Sequence, residues 1–130
     1  MNYTIALFGE AQKGKFCFPY EIKHISQLFE HLGNPPKDSL GIYFAIQSLL
    51  YDRRLIFFRV KEEGFSRDDY LKGFNYLKNP DKVSKLSAIG LPNVGDHVII
   101  DATYSINILH KSLVMISEKD LYDYLTSSRG

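Results

Sequence analysis

The chain has 130 residues, 45% apolar and 24% charged, with sixteen basic against fifteen acidic side chains and a net charge of +1. That length suits one domain spanning residues 1–130 around one core. So even a balance of charge gives no electrostatic footprint for nucleic acid or an anionic membrane. The lone Cys17 excludes an intramolecular disulfide and a cysteine-based zinc site within one chain.

Met1-Asn2-Tyr3 begins no basic-then-apolar leader. No stretch approaches the ~20 apolar residues of a membrane span, so a cytoplasmic setting is the expectation. Thr4-Ile5-Ala6-Leu7-Phe8 reads as a first strand ending at Gly9-Glu10. A loop from Gly9 to Lys15 follows, then Phe16-Cys17-Phe18-Pro19-Tyr20 as a brief edge strand, since Pro19 bars anything more central. Cys17, between two phenylalanines, reads as a small packed side chain rather than a nucleophile. Ile22 to Leu32 has apolar residues at 25, 28, 29 and 32, which is helical spacing, and Gly33 stops it.

Asn34-Pro35-Pro36-Lys37-Asp38 makes a turn, and Ser39 is placed to cap a helix from Leu40 to Tyr51. Leu55-Ile56-Phe57-Phe58-Arg59-Val60 is an unbroken apolar run apart from Arg59. A strand with one wet face would alternate, so this one is expected inside a sheet covered on both faces. Ser66-Arg67-Asp68-Asp69 has the spacing of a capping box, opening a helix to about Lys78.

Leu86 to Leu91 is a weaker strand, followed by Pro92-Asn93-Val94-Gly95 and a capping Asp96. Residues 97–110 fit a helix, although Val98-Ile99-Ile100 would also suit a strand; the length and the Gly95-Asp96 start favour helix. Leu113 to Ile116 is a strand, Ser117 caps a last helix from Glu118 to Thr126, and residues 127–130 should fray. Alternating strands and helices with short connections imply parallel pairing and right-handed crossovers. The expected fold is a small three-layer, Rossmann-like α/β domain with about four mostly parallel strands.

No complete catalytic or cofactor motif emerges, and no cofactor is called for. Gly9-Glu10-Ala11-Gln12-Lys13-Gly14-Lys15 matches the G-x-x-x-x-G-K part of a phosphate-binding loop. Phe16, however, stands where Ser or Thr would hold magnesium, and Pro19 follows where the phosphate-receiving helix should begin. A looser anion site of Lys13, Lys15 and loop amides is left. The spacings of His24, His31, His97 and His110 resemble no metal motif.

Two functional expectations result. The first is a non-enzymatic interaction module, forming a homodimer or meeting another protein. It rests on surplus tyrosines on predicted helices, around Tyr122 and Tyr124. The alternative is a nucleotide or phosphorylated metabolite bound at the carboxyl ends of the strands, with a small hydrolase using that edge behind it. Its candidate residues are Gly9, Glu10, Lys13, Gly14, Lys15, Arg59, Asp96 and Ser117.

Overall fold

The computed structural model describes residues 4–127; Met1–Tyr3 and, of the tail expected to fray, residues 128–130 lie outside the described residues. Among these residues five strands form one sheet: β1 (Thr4–Gly9), β2 (Tyr20–Ile22), β3 (Arg54–Arg59), β4 (Ala88–Gly90) and β5 (Leu113–Met115). Their order is β2-β3-β1-β4-β5. β3, β1, β4 and β5 run parallel, and β2 pairs antiparallel with β3 on the outer edge.

Among the described residues six helices cover the sheet: α1 (Ile25–Leu32), α2 (Gly41–Leu50), α3 (Arg67–Leu77), α4 (His97–Ala102), α5 (Tyr104–His110) and α6 (Glu118–Thr126). Side-chain alternation sorts them into two layers. Ile5, Leu7, Leu55 and Phe57 face α1, α2 and α6 through Leu28, Phe44 and Leu121. Ala6, Phe8, Ile56 and Phe58 face α3, α4 and α5 through Phe74, Ile99 and Ile106. The continuous apolar run of β3 is thereby explained, since Leu55 to Phe58 are all buried between two helical layers. Phe8 stacks on Phe58 at 4.7 Å and meets Phe74 edge-on at 5.1 Å, which places the aromatic surplus partly in the core.

Several local expectations change in the folded chain. The edge strand forms at Tyr20–Ile22, with Phe16 only bridging Arg59. Ile22 therefore belongs to β2, and α1 starts at Ile25, where Gln27 reaches back to the His24 and Lys23 amides. Ser39 does not cap α2; its hydroxyl donates to the Pro36 carbonyl, and the helix starts after Leu40. The Ser66–Asp69 box does not form either. The Ser66 hydroxyl turns to Glu62, while Asp69 is buried and accepts from the Lys61 amide. Residues 97–110 are helical but split at the buried Thr103, whose hydroxyl donates to the Ile100 carbonyl. Ser117 caps α6 as expected, with Asp120 completing a reciprocal box.

Candidate functional site

The carboxyl ends of β1, β3 and β4 meet around one buried carboxylate. Glu63 is 4% exposed and accepts four hydrogen bonds. Its Oε1 takes the Glu10 amide at 3.1 Å and the Gly41 amide at 3.0 Å. Its Oε2 takes the Leu40 amide at 2.7 Å and the Asn93 side-chain amide at 2.6 Å. Glu63 thus satisfies the amino end of α2 from outside that helix, where the dipole also favours a negative charge. The Glu63 amide in turn donates to Glu10 Oε2 at 2.9 Å.

This convergence depends on close backbone approach. A Cβ on Gly9 would lie 2.6 Å from the Gly41 Cα, so β1 and α2 meet only because both positions are glycine. Gly64 adopts φ +92°, and a Cβ there would lie 2.2 Å from the Asn93 carbonyl oxygen. The Gly64 amide donates to the buried Tyr70 hydroxyl at 2.6 Å.

Two clefts flank the junction, and Glu10 lines both. One, of about 360 Å³, lies between the ends of β1 and β4, where the connections leave on opposite faces; it is lined by Glu10, Glu62, Glu63, Asp38, Lys37, Phe65 and Asn93. The other, of about 330 Å³, opens over the ends of β1 and β3 and contains Gln12, Phe16, Asn34, Arg59 and Lys61. Neither is lined by a histidine, serine or cysteine, so neither presents a nucleophile paired with an imidazole base.

The residues expected at a ligand edge divide among four places. Gly9, Glu10 and Arg59 come together, since Gly9 registers with Arg59 across the β1–β3 pair and Glu10 shares the 330 Å³ cleft with Arg59. The Arg59 guanidinium lies 4.1 Å over the Phe16 ring, and its Nη1 donates to the Gly14 carbonyl. Lys13, Gly14 and Lys15 sit in the loop beside it, but that loop does not hold its amides open. The Gln12 and Lys13 amides donate to the Leu32 carbonyl, the Lys15 amide to the Tyr20 hydroxyl and the Cys17 amide to the Arg59 carbonyl. The Lys15 ammonium rests against the Phe18 ring. A phosphate cradle needs converging free amides, and here the Glu10, Gln12, Lys13 and Lys15 amides are engaged.

Asp96 and Ser117 belong elsewhere. Asp96 accepts from the Val98 amide and pairs with Arg67 at 2.9 Å; that guanidinium holds its carboxyl below the ordinary range. Ser117 accepts from the Asp120 amide at the amino end of α6, beyond the edge strand β5. Both are helix caps.

The tyrosine surface also rearranges. Tyr124 points inward, 8% exposed, with its hydroxyl 2.6 Å from the Ser87 hydroxyl, so it joins the core. Tyr122 is 65% exposed and lines a groove of about 150 Å³ between α2 and α6, opposite Tyr43 and Tyr51. The signal for Tyr43 and Tyr51 lay in α2 itself, Gly41-Ile-Tyr-Phe-Ala-Ile-Gln-Ser-Leu-Leu50, ten residues without a charge. A helix packed on one face only should carry charge on the other.

Among the described residues no helix is long and apolar enough to cross a membrane, and no three His, Cys, Asp or Glu side chains are grouped to hold a metal ion. No protein-family model, curated protein or solved structure matches this chain.

Proposed function

We propose that the protein is an interaction module that self-associates through the groove between α2 and α6. The observation that carries this reading is the outer face of α2. Its inner face, Ile42, Ala45 and Leu49, is buried against the sheet, yet the outer face has no charged side chain. Tyr43 and Leu50 on that face are 41% and 61% exposed, and Tyr51 just beyond the helix is 41% exposed. Tyr122 adds a ring from α6. Tyrosine suits such a surface because it buries a large ring while keeping a hydroxyl for hydrogen bonding.

A second copy is the partner that this face favours. The outer face of α2 carries no charge, so two copies meeting there about a two-fold axis bring no like charges of that helix together, and Glu118 of α6 is the charged residue that lines the groove. The four exposed side chains present roughly 400 Å², about half of the ~800 Å² each partner buries in a standard interface, and flanking residues of the two helices extend the area.

Light scattering over a concentration series tests this. The apparent mass should climb from that of one 15.0 kDa chain towards two. Tyr122→Glu should hold it at one, and Gln47→Cys in a Cys17→Ser background should give a dimer cross-link reversible by thiol. A wild-type chain that stays monomeric to hundreds of micromolar overturns the reading.

A further inference from the structure

We propose a second, separate site: the 330 Å³ cleft over the ends of β1 and β3 binds a small organic anion that also carries hydroxyl groups. Arg59 is the centre of the argument. It is half-buried at the last position of β3, stacked on Phe16, and its Nη1 donates to the Gly14 carbonyl, a neutral acceptor. Its Nε is sealed from solvent with no hydrogen-bond partner among the described residues. The ion pairs among the described residues are Arg67–Asp96 and Lys119–Asp123, so among those residues no carboxylate is within ion-pair distance of Arg59. Lys61, exposed on the same cleft, adds a second cation without an ion-pair partner there. A guanidinium fixed by an aromatic ring and left without a counter-ion is arranged for a carboxylate or phosphate.

The opposite lining sets the rest of the ligand. Glu10 commits Oε2 to the Glu63 amide, which leaves Oε1 as an acceptor without a partner among the described residues. Gln12 and Asn34 supply further amide groups. A bare anion would meet Glu10 unfavourably, whereas a hydroxylated one donates to it. The volume lies at the small end of ligand pockets, which excludes a dinucleotide and fits a sugar phosphate or a sugar acid. The charge comes from two side chains on or beside β3 rather than from the glycine-containing loop, whose Gln12, Lys13 and Lys15 amides are engaged.

Titration calorimetry with ribose 5-phosphate, gluconate and inorganic phosphate tests the site. Saturable binding of ribose 5-phosphate or gluconate is expected, and the tighter of the two identifies the anionic group. Arg59→Met should weaken it at least tenfold. Glu10→Gln should weaken the hydroxylated ligand but not inorganic phosphate. Because Arg59 packs on Phe16, the exposed Lys61→Glu serves as a second variant, expected to weaken binding severalfold with an unchanged melting temperature. No saturable binding of either organic anion at 10 mM, or equal affinity in wild type and Lys61→Glu, overturns the proposal. Tyr122→Glu should leave this binding intact, so failure of the dimer and failure of the ligand site are read separately.

Discussion

At the scale of the residue, Cys17 is the most sharply defined chemical group. It adopts a left-handed backbone, φ 59°, and its thiol donates to Asp69 Oδ1 at 3.3 Å. Burial first, then that hydrogen bond and the charge of Asp69, push the thiol up to about 11 from 9.0. The thiolate is the reactive form. At pH 8 the thiolate fraction falls from roughly one in ten to about one in a thousand, so alkylation by iodoacetamide should run about a hundredfold slower than in urea-unfolded chain. Asp69→Asn removes the negative charge and should speed it. A folded protein modified as fast as the unfolded chain would contradict the half-buried, hydrogen-bonded thiol. The same shift has a sign for stability. A thiol whose folded value is raised contributes fully below 9.0 and loses that contribution as the pH rises through 11.

At the scale of the element, α6 offers the cleanest test, because its start is built from near neighbours. The Asp120 carboxylate accepts the Ile116 and Ser117 amides at 2.9 and 3.1 Å, and these hold its carboxyl below the ordinary 3.8. Asp120→Ala should cost about 1 kcal/mol at neutral pH, the usual value of a cap. A depressed carboxyl stabilises above its unfolded value and loses that as the pH falls through the lower folded one. Denaturant curves of the two proteins should therefore diverge at pH 7 and converge in acid; a gap unchanged at pH 2 would exclude the cap as its source.

The same contrast explains what could be read in advance. Ser117 and Asp120 lie three residues apart, so that cap is legible in the sequence, as are the apolar runs of β1 and β3. Ser39 has the spacing of an α2 cap but does not act as one, because the group that accepts from the start of α2, the Glu63 carboxylate, lies beyond an entire strand in the chain. Likewise Asp69 has capping-box spacing, but burial beside Cys17 and Lys61 takes it away from Ser66. Local spacing reports local hydrogen bonds, and a tertiary competitor leaves no mark in it. For the candidate site, Glu10 and Arg59 were visible as polar groups ending apolar runs. That Asp96 and Ser117 are engaged as caps follows only from partners in space.

At the scale of the whole molecule, Glu63 holds the architecture together. Its carboxylate ties the end of β1 through Glu10, the start of α2 through Leu40 and Gly41, and the loop after β4 through Asn93. Every lone pair it has is used, so its role is to organise backbone rather than to exchange a proton with a substrate. Glu63→Ala would leave several buried donors without an acceptor, each costing about 1–3 kcal/mol before water enters. A net loss of about 3–5 kcal/mol is expected, a large share of the 5–15 kcal/mol that stabilises a typical domain. Glu63→Gln is the more informative change. It keeps the shape and one accepting oxygen, but turns an amino group towards two of the four donors, so it should still lose about 2–3 kcal/mol. The exposed neighbour Glu62→Gln is the control and should stay within about 0.5 kcal/mol of wild type. Urea midpoints at constant slope measure all three. If Glu63→Gln matches Glu62→Gln, the carboxylate is not what joins the loops. If it does not, both the α2 surface and the cleft beside Glu10 depend on it, and the variant should weaken self-association and anion binding together even though neither partner touches Glu63.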